Sequence, residues 1–178
     1  AMTDRSNLAG VVSFVKACEK EKVSPIIGAE VWMLPDHLTA EQVEAACRLK
    51  KPKKGKKGEA VNPHRQGYRI LLLAKDARGY ENLCILLSRA MRRIYFVPRA
   101  TKEDLLEVHE GLICLVGTKH GPHRLGEEQK HVEALAFLKG VFGESLFVEL
   151  TNTGPEDQER IAVERTLAER AGVPCVAT

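Results

Sequence analysis

The amino-acid sequence predicts an α/β fold, specifically a β/α barrel that is truncated at both ends. Strand-like and helix-like segments alternate through all 178 residues, and the strand-like segments are apolar on both faces. These two features indicate parallel strands covered by helices. No glycine-rich nucleotide loop follows a strand, which favours a barrel over a dinucleotide-binding sheet. The barrel is expected to be incomplete because no strand is predicted before the first helix and no helix after the last strand.

The first third of the chain predicts a helix, a buried strand, a second helix and a loop. Apolar residues at helical spacing predict a helix over residues 6–22 with Ser6 as its N-cap. Residues 24–34 form a β-branched apolar run and predict a buried strand, and residues 38–50 predict a helix. About residues 50–66 are rich in Lys, Gly and Pro without periodicity, which predicts an inserted, exposed and flexible loop.

The rest of the chain repeats strand and helix. Thr101 is expected to cap a short helix whose first turn carries Glu103 and Asp104, where the helix dipole favours acids. Further strands are predicted at residues 68–75, 111–117, 145–151 and 173–178, and further helices at residues 77–93, 125–142 and 153–172.

Composition indicates one domain over residues 1–178 in a reducing compartment. The chain is 44% hydrophobic and 29% charged, and its length allows a sizeable core. Its five cysteines are widely spaced with no CxxC pair, which favours reduced thiols over disulfides or a zinc site. No apolar run approaches the roughly 18 residues that span a bilayer. We therefore expect a cytoplasmic protein without membrane contact.

The net charge of +3 has its origin in the lysine loop. Removing the six positive charges of its segment LKKPKKGKKGE from +3 leaves −3, so the rest of the chain is mildly acidic. The loop could bind nucleic-acid phosphates or could be a solvated surface loop. No aromatic residue interleaves to stack on bases, which favours the solvated loop. The candidate phosphate-binding residues are Lys50, Lys51, Lys53, Lys54, Lys56 and Lys57.

Several polar residues follow predicted strands, where β/α barrels carry their chemistry. Glu30 is the most informative because it is an acid inside the apolar run IIGAEVW, and a buried carboxylate needs a cation, a metal or several hydrogen bonds. Arg69 is an equally unexpected cation at the start of the run ILLLA. If Arg5 or Arg69 lies beside Glu30, the charges compensate without a metal. The other strand-end candidates are Asp4, Lys75, Asp76, residues 118–123 and residues 151–153.

A pair of histidines in the segment GTKHGPHRLG raises the possibility of a zinc site. His120 and His123 have HxxH spacing after a predicted strand. Pro122 interrupts the spacing, and no further ligand lies nearby in the sequence. This pattern favours solvated loop histidines.

Four stretches of the chain carry a family resemblance. TDRSNLAG…PIIGAE (residues 3–30) is similar to a block written TDH-G-N-L-x-G…PIIG-x-E, and YRILLLAKDARGYENL (residues 68–83) to YHLxLLAK-x-x-x-GYxNL. EGLICLVGTKHG (residues 110–121) and VELTNTG…AERAGVPCVAT (residues 148–178) are similar to two later blocks. These blocks belong to the PHP (polymerase and histidinol phosphatase) domain of bacterial DNA polymerase III α subunits. Replicative and error-prone α-type chains both carry this domain, and the resemblance does not separate them.

The resemblance implies a distorted seven-stranded β/α barrel whose intact members bind up to three metal ions. Such members act as phosphoesterases, including a proofreading 3′–5′ exonuclease, with Zn²⁺ or Mn²⁺ in an intact site. In polymerases the domain packs on the rest of the polymerase chain, and in some it holds a separate proofreading exonuclease subunit. The parent chain would be a DNA-directed DNA polymerase, a nucleotidyltransferase that uses Mg²⁺ and contacts the DNA.

Most of the family's metal ligands in this part of the barrel are replaced here. The family's early HxH and final Asp-x-His lie outside the sequence. Within it, Glu30 keeps the strand glutamate, whereas Arg5 and Arg69 stand at two histidine positions and Thr118 at a cysteine position. A guanidinium cannot ligate a metal and would repel one. The resemblance therefore implies a vestigial site in which Arg5, Arg69 or both neutralise Glu30.

Three functional hypotheses follow. In the first, the chain is a PHP domain that binds no metal, is inactive alone, and serves as scaffold and partner-docking domain of a polymerase. In the second, it is an active metal-dependent phosphoesterase or 3′–5′ exonuclease of the same superfamily. In the third, it is a nucleic-acid-binding module that acts through the lysine loop.

Overall fold

A computed structural model of the chain describes residues 1–34, 67–94, 97–117, 121–122 and 128–178. The described residues form a mixed α/β structure around one six-stranded sheet, in which the strands follow chain order from edge to edge. The strands are β1 (Met2–Arg5), β2 (Ile27–Met33), β3 (Tyr68–Ala74), β4 (Leu112–Val116), β5 (Leu146–Leu150) and β6 (Cys175–Ala177). The α/β class is therefore confirmed, while closure of the sheet into a barrel stays a prediction.

Strand β3 runs against the other five strands. It pairs antiparallel with both β2 and β4, whereas β1 with β2, β4 with β5, and β5 with β6 are parallel pairs. The prediction of parallel strands is thus wrong for β3. Its sequence is apolar on both faces, as expected of any strand with covered faces, and that pattern carries no information on direction. Because of this reversal, the first residues of β3 lie at the same end of the sheet as the last residues of β1 and β2.

Five α-helices lie among the described residues. They are α1 (Val11–Lys20), α2 (Ala77–Arg92), α3 (Lys102–Val108), α4 (Glu128–Phe142) and α5 (Gln158–Ala171). The predicted cap of α3 is confirmed: the Thr101 side chain accepts from the amide of Asp104, whose carboxylate accepts from the amide of Thr101. This reciprocal arrangement satisfies two amides that the helix itself leaves open.

The N-terminal prediction needs two corrections. A strand, β1, precedes the first helix, although none was predicted there. Ser6 does not cap α1, which begins at Val11 after Gly10. Ser6 has a φ of +54° and donates its amide to the carbonyl of Glu30 at 2.8 Å, so it continues the pairing of β1 with β2. β1 is a short, polar edge strand and lacks the apolar run that predicts a strand. Its TDRS sequence therefore resembles the start of a helix.

The two faces of the sheet differ. On one face, alternating strand residues such as Val31, Ile70, Cys114 and Val148 form the main buried core together with helix residues such as Leu86. The opposite face carries the residues between them. We call this second side the site face, and it includes Arg5, Glu30, Arg69, Leu71, Leu115, Phe147 and Glu149.

No helix among the described residues is both long enough and apolar enough to cross a membrane. The predicted helix at residues 38–50 and the predicted lysine loop lie outside the described residues.

Candidate functional site

The candidate site lies on the site face, where three neighbouring strands bring together residues far apart in sequence. Arg5, the last residue of β1, is in register with Glu30 of the parallel strand β2. Arg69 of β3 is opposite Trp32, two residues beyond Glu30. Side chains at paired and diagonal positions on one face of a sheet can reach each other. Strand register therefore places both arginines beside the one acid.

Both arginines bind the same oxygen of Glu30. The Nε of Arg5 donates to Glu30 Oε2 at 3.1 Å, and an Nη of Arg69 donates to that oxygen at 3.2 Å. The Glu30 side chain is 22% exposed, the Arg69 side chain 15% and the Arg5 side chain 71%. The Arg69 cation is therefore held in place and largely shielded from solvent, whereas Arg5 contacts Glu30 from the solvent side.

Trp32 holds Arg69 from the other direction. The Arg69 guanidinium lies over the indole ring, 5.0 Å from its centroid, and Trp32 is buried. A cation over an indole face is attracted by the ring quadrupole, and the attraction strengthens where water is excluded. Glu30 and Trp32 together thus fix the orientation of Arg69.

The described residues around Glu30 do not fit a metal ion. Glu30 Oε2 already accepts from two guanidinium groups, whose positive charge would repel a metal cation. Among the described residues, no group of three or more His, Cys, Asp or Glu side chains is arranged to hold a metal. The arrangement holds two charged, oriented guanidinium groups near the ends of β1 and β2.

Two strand-end candidates, Lys75 and Asp76, lie away from the other candidates. They follow β3, and because β3 is reversed they lie at the end of the sheet opposite the last residues of β1 and β2. Asp76 caps α2, since its carboxylate accepts from the amide of Gly79 at 2.8 Å. Their inclusion with the other strand-end residues is therefore wrong, and the reason is the direction of one strand.

Other candidates lie elsewhere. Asp4 is at the end of β1, but its register partner is Ala29, a core residue, so it lies on the face away from Glu30. The remaining predicted residues are outside the described part of the chain: Thr118, His120, His123 and the lysines Lys50, Lys51, Lys53, Lys54, Lys56 and Lys57.

Glu149 is a second acid on the site face that sequence reasoning missed. It lies in β5 and is only 8% exposed. Its Oε1 accepts from the hydroxyl of Thr178 at 2.8 Å, and that hydroxyl is 2.9 Å from the hydroxyl of Thr151. Its Oε2 is buried and has no hydrogen-bond partner among the described residues. The signal was present, because Glu149 interrupts the apolar run SLFVEL as Glu30 interrupts IIGAEVW.

Arg160 of α5 links the ends of β4 and β5 through hydrogen bonds to both. It donates to the carbonyl of Gly117 at 2.8 Å and to the carbonyl of Thr151 at 2.7 Å. It also pairs with Asp157 at 3.2 Å. Gly117 has a φ of +108°, and a Cβ there would lie 2.5 Å from the carbonyl oxygen of Glu149, so only glycine allows this approach.

Asp157 accepts from both the amide and the hydroxyl of Thr153, at 2.9 and 2.6 Å. These two hydrogen bonds, helped by Arg160, lower the pKa of Asp157 to about 2. Thr153 was predicted as a strand-end candidate, and the structure gives it the role of a partner to this acid.

Comparisons with known proteins show which family the chain resembles. The family profile described as "PHP domain" matches residues 1–153. The DNA polymerase III subunit alpha of Chlamydia muridarum is 33% identical over 167 residues, which cover 92% of this chain and 12% of the relative. The corresponding subunit of Treponema pallidum is 30% identical over 185 aligned residues, covering 100% and 14%. That of Deinococcus radiodurans is 32% identical over 184 aligned residues, covering 100% and 13%. The chain thus spans 12–14% of the length of these relatives.

Proposed function

Since this chain belongs to the PHP domain family, we propose that it is the PHP segment of a bacterial DNA polymerase III α-type chain and acts in DNA replication. Near-complete coverage by several α subunits supports this proposal, as does the small fraction of each relative that is matched. The parent chain performs nucleotidyl transfer with Mg²⁺ in the bacterial cytoplasm, at residues outside this segment. The segment alone does not polymerise DNA.

Within that chain the segment is a scaffold with a degenerate metal site. The observation that carries this proposal is the double guanidinium contact to Glu30 Oε2, at 3.1 and 3.2 Å. In the resembling family, Arg5 and Arg69 stand where histidines ligate metal, so two neutral ligands are exchanged for two cations. The surviving acid then serves as the counter-charge that keeps both cations in place. The sheet belongs to a distorted barrel that packs on the rest of the polymerase chain, with a proofreading exonuclease subunit as a further candidate partner.

Local metal binding is the sharpest test of the degenerate site. Mn²⁺ is added to the chain, and paramagnetic broadening of the backbone amides next to Glu30 is followed by NMR. The unaltered chain is expected to show no broadening there. A matched Arg5→His, Arg69→His double variant restores imidazoles at both positions and is expected to gain broadening around Glu30. Broadening at Glu30 in the unaltered chain would overturn the proposal.

The phosphoesterase alternative is tested by hydrolysis of a phosphodiester. A generic phosphodiester is incubated with the chain and Mn²⁺ or Zn²⁺, beside a Glu30→Gln variant. The scaffold proposal expects no hydrolysis above the metal-only rate from either protein. Hydrolysis that the variant loses would favour the metal-dependent phosphoesterase.

A scaffold role also predicts what happens in the complete polymerase chain. There, Glu30→Gln is expected to leave the rate of nucleotide incorporation per folded molecule unchanged. A lowered rate at unchanged stability would show that the site contributes to catalysis and would contradict the scaffold role.

A further inference from the structure

Glu149 of β5 has a buried carboxylate oxygen without a partner. The residue is 8% exposed, and its Oε2 has no hydrogen-bond partner among the described residues. Buried polar atoms in folded proteins almost always have a partner, and a buried carboxylate costs free energy unless a cation or several hydrogen bonds compensate it. Glu149 therefore lacks the compensation that two arginines give to Glu30 on the same face.

The two hydroxyl groups beside Glu149 have already spent their protons. The Thr178 hydroxyl donates to Glu149 Oε1 at 2.8 Å. Because a hydroxyl has one proton, the 2.9 Å hydrogen bond between the hydroxyls of Thr178 and Thr151 has Thr151 as its donor. Both protons are thus directed toward the acid, and the cluster offers only acceptor lone pairs, on Glu149 Oε2 and on Thr151. A group that binds here must donate hydrogen bonds.

Arg160 reaches the same end of β5 but does not compensate Glu149. Its two terminal nitrogens donate to the carbonyls of Gly117 and Thr151, and its ion pair is with Asp157. Among the described residues, no cation forms an ion pair with Glu149, whereas Glu30 has two. The described part of the chain therefore supplies no positive charge to this acid.

The Glu149 cluster lies at an open edge of the sheet. β6 is the outermost of the six strands, and no strand pairs with its outer side among the described residues. Cys175, Ala177 and Thr178 are exposed there, and Thr151 is half-buried. Glu149 is therefore one hydrogen bond away from a surface that further chain can cover. Such chain exists in the relatives, of whose length these 178 residues span only 12–14%.

We propose that a lysine or arginine side chain from the rest of the parent polymerase chain binds Glu149 at the β6 edge. This inference rests on the proposed function, since it takes residues 1–178 as a segment of a longer chain. A positively charged donor satisfies Oε2 and balances the buried charge, whereas a neutral donor leaves the charge in place. Glu149 is then a docking contact between this domain and the rest of the polymerase chain.

The test is Glu149→Gln in the complete parent chain, read by hydrogen exchange of the backbone amides of β5 and β6 with mass spectrometry. The variant leaves the bound cation buried without its counter-charge, so we expect these amides to exchange about tenfold faster. The isolated 178-residue chain lacks that cation. There the same variant removes an uncompensated charge, and we expect exchange to slow about fivefold.

Glu169→Gln is the matched control, because Glu169 is an exposed acid of α5 that lies 3.4 Å from Arg165. It is expected to leave the exchange of β5 and β6 unchanged in both chains. Slower or unchanged exchange in the complete chain carrying Glu149→Gln would overturn the inference, since no buried cation would have lost its partner. Faster exchange in both chains would overturn it too, because the donor would then lie within the 178 residues or in the solvent.

The outcome at Glu149 is independent of the site at Glu30. Mn²⁺ broadening and phosphodiester hydrolysis test the proposed function at Glu30, whereas amide exchange in β5 and β6 reports on Glu149. A complete chain that incorporates nucleotides normally, but whose Glu149→Gln variant exchanges slowly, would retain the proposed function and lose only the docking contact.

Discussion

Glu30 and Glu149 make an instructive pair, because each is an acid that interrupts an apolar strand on the same face of one sheet. Glu30 is 22% exposed at its side chain and is bound by two arginines. Glu149 is 8% exposed and has hydroxyl partners on one oxygen, while its other oxygen has no partner among the described residues. The more exposed acid is thus the better compensated one. An acid within a strand therefore does not reveal by itself whether it stabilises the fold.

The two halves of the sheet also use arginine differently. In the half formed by β1–β3, arginines bind a carboxylate on the sheet face. In the half formed by β4–β6, Arg160 reaches from a helix to backbone carbonyls and leaves Glu149 untouched. The first half binds its cations to a carboxylate on the sheet, and the second uses its cation to join strands.

The largest effect is expected from Arg160→Ala. The variant leaves the carbonyls of Gly117 and Thr151 without their donor and removes the pair with Asp157. We expect the free energy of unfolding to fall by about 3 kcal/mol, measured by urea denaturation. The control is Arg165→Ala, which removes an exposed helix pair and is expected to cost at most about 0.5 kcal/mol. Equal costs would contradict a structural role for Arg160 in joining β4 and β5.

Glu30→Gln tests the compensated acid. It removes the charge that two guanidinium groups bind, and because the site is partly exposed we expect a loss of about 1.5 kcal/mol in unfolding free energy. Glu169→Gln, which weakens an exposed pair with Arg165, is the matched control and should cost less than about 0.5 kcal/mol. A Glu30 variant as stable as the control would mean that the cluster contributes nothing to the fold.

Glu149→Gln should act in the opposite direction. The amide keeps the size of the side chain and can still accept from Thr178, but it removes a buried charge that lacks a full set of partners. We expect the 178-residue chain to gain about 1 kcal/mol in unfolding free energy. A loss of stability would show that Glu149 has a cationic or donor partner in solution, and the contrast between the two acids would disappear.

The last effect appears only in acid. Hydrogen bonds from Thr153, with help from Arg160, lower the pKa of Asp157 to about 2 from an ordinary value of 3.8. A lowered pKa in the folded state means that Asp157 stabilises the fold above about pH 4 and loses that contribution as the pH falls through 2. Urea denaturation of the chain and of Asp157→Asn at pH 5 and pH 2 should show a smaller loss in the variant. Identical losses would assign the acid sensitivity to other groups.

Much of the fold could be predicted from local sequence. Apolar runs placed β2 to β6 within a few residues, and the helix α3 begins at its predicted cap Thr101. These features depend on neighbours in the sequence, namely side-chain periodicity and side-chain-to-backbone hydrogen bonds. β1 was missed because a short polar edge strand has neither signal.

The candidate site was predictable only in part. Glu30 and Arg69 stood out as charges within apolar runs, and the resemblance paired them with Arg5. Glu149 carried the same local signal, but the resemblance gave it no ligand role, so it was passed over. Arg160 gave no signal, since an arginine on a helix is ordinary until its partners are known.

The sequence by itself determined most of the elements, the family and the identity of the charges, because each depends on which residues stand near one another along the chain. Tertiary structure alone decided which charges meet. The reversal of β3 brings Arg69 to Glu30 and carries Lys75 away, and the register of β1 with β2 adds Arg5. Strand direction and register arise from contacts between segments as far apart as residues 30 and 69. Local periodicity cannot encode such contacts, and so the pairing of charges at this site is a property of the folded sheet.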